Sequence, residues 1–184
     1  MKDPIDTLLR EHGEIMGQVE GLRRAVRDLE KRGEAAVPEA LPVLDGVGQM
    51  MATRLLTHAQ KEDEALFPAL EEAFGGAGGP TAVMREEHRM IHAQAERFRR
   101  TLHELNQVEH PAIVAEGERL RALTALGSGA EELRVTGSMI LQLLDLHFGK
   151  EEDILFPMAR QILTPVQLEE VGRRMDEIER AAVG

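Results

Sequence analysis

The chain has 184 residues, enough for one domain with a substantial core, and its 33 acidic against 22 basic residues give a formal net charge of −11. That balance repels phosphate backbones and anionic membrane surfaces, so neither nucleic acid nor a membrane is an expected partner. Cysteine, tyrosine and tryptophan are absent, which removes disulfides, thiolate metal sites, cysteine nucleophiles and tyrosyl chemistry.

The N-terminal MKDPIDTLLREH has no apolar run before its charges, and no stretch approaches the ~18 apolar residues of a membrane span. The expectation is a single soluble, cytoplasmic domain over residues 1–184. Glycine and proline cluster, and the segments between are rich in Ala, Leu, Glu, Arg and Met, so the predicted class is all-α. Asp3-Pro4 offers an N-cap and a first-turn proline, and Ile5, Leu8, Ile15, Val19, Leu22, Val26 and Leu29 then keep helical spacing to Gly33. A second helix is predicted from about Pro38 to Phe74, where Gly75-Gly76-Ala77-Gly78-Gly79-Pro80 ends it. A third follows from about Thr81 to Leu105. The segment NQVEHPA breaks the pattern, an extra short helix is predicted from about Pro111 to Leu126, and Gly127-Ser128-Gly129 breaks it again. A fourth long helix spans roughly Ala130 to Leu163. Thr164, Pro165 and Gln167 then open a C-terminal accessory helix to about residue 182, read as a cap on the bundle or a homodimer contact. Pro68 and Pro157 fall inside helices two and four and predict a bend or local break in each.

The chain repeats itself. RLLTHAQKEDEALFPAL (54–70) aligns with QLLDLHFGKEEDILFPM (142–158), placing His58 on His147, Lys61 on Lys150, Glu62 on Glu151 and Phe67-Pro68 on Phe156-Pro157, all at an offset of 89 (147 − 58). REHGEI (10–15) aligns with EEHRMI (86–91), placing His12 on His88 at an offset of 76 (88 − 12). The difference of 13 (89 − 76) marks an insertion, and the extra stretch after Pro111 is its natural place. Two helix pairs about an approximate two-fold axis make an antiparallel up-down-up-down four-helix bundle the expected fold.

Residues four apart on a helix lie about 40° apart around it and about 6 Å along it, so His58/Glu62, His88/His92 and His147/Glu151 can each point two ligands into one interior, with His12 as a further single ligand. Five imidazoles and two carboxylates in an apolar core need a partner for their desolvated charges, and a metal supplies one. Glu62 and Glu151 arrive from opposite helices and can bridge two ions held about 3.5–4 Å apart. Helix three offers both His88 and His92, while the repeat position of His92 on helix one is Met16. One ion is therefore expected to take His88, His92 and His147, and the other only His12 and His58, leaving an open position on the Met16 side for a small molecule. Imidazole with carboxylate suits iron, manganese or zinc, and an open redox-capable site favours iron. Arg89 stands where a zincin has its general-base Glu, and no His has Glu three residues before it as ferritin-like sites require.

His12 in REHGEI, His58/Glu62 in THAQKE, His88/His92 in EEHRMIH and His147/Glu151 in LHFGKEED together resemble the hemerythrin-like, or HHE cation-binding, family, over about Asp3 to Arg160. The resemblance implies two iron ions per chain, bridged by both glutamates and an oxo or hydroxo group, with dioxygen, nitric oxide or peroxide bound end-on at the two-His iron. Manganese and zinc are weaker fits. Oxygen-carrying hemerythrins close the site with His-x4-Asp on the last helix, whereas here Glu151 stands at four and Glu152 at five. That pattern is similar to the broader bacterial HHE proteins, whose roles include sensing, iron handling and stress protection. A ligand-binding protein is expected ahead of an enzyme acting on peroxide or nitric oxide, or repairing iron centres, because no dedicated acid–base residue stands near the open position. Glu11, Glu87, Glu152 and Asp153 neighbour ligands and are candidates to orient the imidazoles. Phe67 and Phe156, five residues after each bridging Glu, are read as paired plugs against water, with Phe148 as a further wall. His103 lies three turns beyond His92, about 16 Å along the axis and out of ligating range.

Overall fold

The structure, a computed structural model, describes residues 3–108 and 116–183, and every element within them is helical. Helix α1 (Pro4–Arg32) starts where Ile5 N–H donates to the Asp3 carboxylate at 2.9 Å, and it stops at Gly33, whose φ of 56° a side chain would resist. After a 3₁₀ turn (Gly33–Ala36), one long helical run carries α2 (Val37–Met50), α3 (Leu56–Lys61) and α4 (Phe67–Phe74). Gly75, left-handed at φ 82°, ends the run as the glycine cluster predicts. Helices α5 (Pro80–Val108), α6 (Glu116–Lys150), α7 (Phe156–Ile162) and α8 (Pro165–Val183) follow. The capping box at the head of α8 forms: Gln167 N–H donates to Thr164 Oγ1 at 3.3 Å, and Thr164 N–H donates to Gln167 Oε1 at 3.0 Å.

The breaks expected at the two prolines take a definite form. Glu62–Leu66 and Glu151–Leu155 are π-helical turns, in which Phe67 N–H donates to the Glu62 carbonyl and Phe156 N–H to the Glu151 carbonyl. Pro68 and Pro157 have no N–H to donate and would press on the carbonyl four residues back, and the wider turn relieves both defects. The repeated Glu-x4-Phe-Pro phrase therefore encodes a five-residue hydrogen bond followed by its cause. A further π turn, Met51–Leu55, joins α2 to α3 without such a proline.

The separate short helix does not survive. Helix α6 runs unbroken through Gly127-Ser128-Gly129, so the expected break there is corrected, while the expected start near Pro111 lies outside the described residues. Gly129 serves close approach instead: a Cβ on it would lie 2.6 Å from Leu105 Cδ2 of α5. Gly137 does the same against α1, where its Cβ would lie 2.8 Å from Val26 Cγ2.

Helix α1 packs on α2 and α6, and α5 packs on α2 and α6, so the contacts of the long helices close a ring. Two apolar clusters fill it. One gathers Ile15, Leu22, Leu44, Phe98, Leu133 and Phe148, and the other Ile5, Leu8, Leu66, Phe67, Leu70 and Phe156. On each of the four long helical runs the sequence passes from one cluster to the other across a polar residue that is nonetheless buried: His12, His58 with Glu62, His88, and His147 with Glu151. No helix among the described residues is long and apolar enough to cross a membrane.

Candidate metal centre

Six of the seven expected ligands meet in that polar layer. His12, His58, Glu62 and Glu151 form one group whose ligand atoms all lie within 4.8 Å of one another, and Glu62, His88, His147 and Glu151 form a second. Both glutamates belong to both groups and are fully buried. His12 Nε2 lies 3.0 Å from His58 Nε2 and 3.3 Å from Glu151 Oε2, while His147 Nε2 lies 3.2 Å from Glu151 Oε1 and His88 Nε2 3.3 Å from Glu62 Oε2. Both carboxylate oxygens of Glu62 and of Glu151, and Nε2 of His88 and His147, are buried without a hydrogen-bond partner. Six orphaned polar atoms converging on one place is the arrangement that a bound cation satisfies and that a hydrogen-bonded core avoids.

His92 is the exception. Its side chain is exposed and belongs to neither group, so the three-His and two-His division expected from the sequence does not arise, and each group holds two imidazoles. His92 stands one helical turn along α5 from His88, and its side chain lines the apolar cleft beside the polar layer instead of entering it. Met16, its repeat counterpart, packs against the first apolar cluster.

The other ring nitrogen of each imidazole donates to a carboxylate from a different helical run. His12 Nδ1 reaches Glu152 at 2.8 Å, His58 Nδ1 reaches Glu11 at 3.0 Å, His88 Nδ1 reaches Asp63 at 3.1 Å, and His147 Nδ1 reaches Glu87 at 3.0 Å. Each bond fixes the tautomer that leaves Nε2 as the electron-pair donor toward the centre. Glu11, Glu87 and Glu152 take the orienting role expected of them, whereas Asp153 is exposed and forms no such bond. Asp63 escaped the sequence reading, although the offset of 89 places it on Glu152 and would have found it. Lys61 and Lys150 extend the pattern by donating to Glu11 and Glu87 respectively.

Burial pushes both shared carboxyls up, Glu151 to about 7 with the neighbouring Glu62 charge adding to it. Burial also drives His147 down to about 4, aided by the charge on His88. His88 resists its own burial and rises to about 10, because Asp63 accepts from it and the negative charge of Glu62 lies beside its other nitrogen. At neutrality the cluster thus keeps a proton on His88 and only partly on Glu151, positions that a cation would claim.

The phenyl rings sit around this layer with one asymmetry. Phe67 stacks on His88 at 5.7 Å between ring centroids, and Phe156 stacks on His12 at 5.3 Å, as the repeat requires. Phe148 stacks on His12 at 3.8 Å, but its repeat counterpart is Ala59. Beside Ala59 lies an apolar cleft of about 300 Å³, walled by Met51, Leu55, Ile91 and Phe148, with His58, His88 and His147 among its lining residues and His92 beside them.

A family model described as Hemerythrin HHE cation binding domain matches residues 3–109, more than half of the chain. The matched stretch holds His12, His58, Glu62 and His88 and ends before His147 and Glu151. No curated protein matches the chain.

Proposed function

The chain belongs to the hemerythrin HHE cation-binding domain family, and from that premise we propose that its buried layer holds two iron ions per chain and binds dioxygen, nitric oxide or peroxide. The observation that carries this reading is the sharing of two fully buried, unpaired glutamates between two four-residue groups. Glu62 and Glu151 would be shared between the two ions, with His12 and His58 holding one and His88 and His147 the other. An up-down-up-down arrangement of the four long helical runs is the frame, supported by their ring of contacts. Such a pair of ions supplies two one-electron equivalents and Lewis acidity toward a small ligand.

The rest is the work of the chain. Four outer carboxylates raise the donor strength of the imidazoles and lock their orientation. Phe148 covers the His12 side, and the small Ala59 leaves the His88/His147 side approachable from the apolar cleft. The open position is accordingly assigned to the His88/His147 ion rather than to the Met16 side. An apolar channel favours neutral diatomic ligands and excludes bulk water.

Metal content and the optical spectrum of the oxidised protein, before and after azide, test the reading. About two irons per chain with near-ultraviolet oxo-bridge bands and a new azide charge-transfer band support it. A single zinc ion, or no azide response, rejects it. A second reading, an enzyme reducing peroxide, is favoured by one observation: His92 carries no metal duty and lines the cleft, where an imidazole can pass protons. Many turnovers of peroxide per chain, lost in His92→Ala with the iron retained, would select it.

A further inference from the structure

The pseudo-symmetry of the outer layer is broken at its lysines. Lys61 and Lys150 occupy equivalent repeat positions and donate to equivalent carboxylates, Glu11 and Glu87. Lys150 has a side chain 41% exposed, whereas that of Lys61 is only 5% exposed and also pairs with Glu179 near the end of α8. A continuous polar path therefore runs from a ligand to the C-terminal helix: His58 Nδ1 to Glu11 at 3.0 Å, Glu11 to Lys61 at 2.7 Å, and Lys61 to Glu179.

The way α8 is held makes this tie consequential. Val171 and Met175 anchor one face in the second apolar cluster, and α8 lies against α1, α3 and the π turn Glu62–Leu66, the elements that carry His12, His58 and Glu62. Toward its C-terminal end the packing opens into a polar cleft of about 780 Å³ between α8 and α1/α3, lined by Glu14, Thr53, Asp176 and Glu179 among others. The Lys61–Glu179 pair reaches across that cleft. A buried ammonium needs its carboxylates, so whatever fixes Glu11 fixes Lys61 and, through it, the end of α8.

Building on the metal reading above, we propose that α8 reports occupancy of the His12/His58 ion through Glu11, Lys61 and Glu179. A cation on His58 Nε2 locks the ring and polarises Nδ1–H toward Glu11, which holds Lys61 in place and tightens the docking of α8. Coupling is reciprocal, so the docked helix raises the affinity of that ion by the same factor. The equivalent path at His147 ends at the exposed Lys150 and carries nothing to another element. The two ions then differ in duty: one faces the cleft and the other faces the output helix.

Amide hydrogen exchange of the full chain, metal-free and after anaerobic addition of ferrous iron, with iron content measured on the same samples, tests the proposal. Exchange in the second half of α8 is expected to slow about tenfold with iron, a mid-range coupling factor. Glu179→Gln, an exposed position, should abolish most of that slowing and weaken one of the two ions about tenfold, while Lys150→Met leaves the slowing intact. The proposal is overturned if iron slows exchange around the ligands in α3 and α5 but not in α8, or if Glu179→Gln keeps the full effect. If no iron binds and no segment changes, the proposal falls together with the metal reading, and the iron content identifies that case.

Discussion

Glu62 and Glu151 are where the chain concentrates its electrostatic cost. Each is fully buried with both oxygens unpaired, and burial raises the carboxyl of Glu151 to about 7. The sign of the pH dependence follows. Between the ordinary carboxylate value of 4.5 and about 7 the metal-free folded chain holds a proton on Glu151 that the unfolded chain has released, so this group takes stability away as the pH rises through that window. Metal binding must displace the same proton, and also one from His88 at any pH below about 10. Apparent metal affinity should therefore rise with pH throughout the neutral range and more steeply below about 7; chelator competition at several pH values measures it, and a flat profile would contradict the assignment. In the proposed reading, access to the centre turns on the small Ala59. Ala59→Phe, which recreates on one side the ring that Phe148 supplies on the other, should fill the cleft and slow azide association by at least about tenfold with both metals retained. An unchanged rate would mean that ligands enter elsewhere.

At the scale of elements, the two π turns explain why a helix can hold a ligand pair and a plug together. In each, the hydrogen bond from Phe back to Glu inserts an extra residue before the proline, setting Phe67 against His88 and Phe156 against His12. The glycines of α6 act between elements. Gly137 lets α6 approach α1, and Gly137→Ala sets a gain in helix propensity of up to ~1 kcal/mol against overpacking on Val26 and Leu22. Val26 is β-branched and stiff at χ1, so overpacking should win by about 1 kcal/mol, read as a lower denaturation midpoint. Gly129 faces the flexible end of Leu105, and the same change there should cost less. Local composition marked Gly129 as part of a break, and the neighbouring helix turned it into a contact.

For the whole molecule, the buried polar layer lies between two apolar clusters, so it bears on both halves of the core at once. Without a cation, six orphaned polar atoms face one another. At a free metal level about a thousandfold above the dissociation constant, each ion of the proposed pair should contribute about 4 kcal/mol, or about 10 °C in melting temperature for a chain of this size, that a chelator removes. Calorimetry of metal-free and reloaded protein checks this; equal melting temperatures would reduce the cluster to a hydrogen-bonded core.

The helical class, the run from α1 to α4, the cap at Thr164 and the convergence of His12, His58, Glu62, His88, His147 and Glu151 were legible because spacing along a helix fixes direction and the repeat states each feature twice. Tertiary structure decided what depends on the neighbour across the bundle. It turned His92 out of the polar layer, carried α6 through Gly127-Ser128-Gly129, placed Asp63 on His88, and set Phe148 against one imidazole where Ala59 leaves the other open. A one-dimensional pattern gives the angle of a side chain about its own helix. Which of two similar residues reaches the centre depends on how that helix is translated, rotated and unwound against the others.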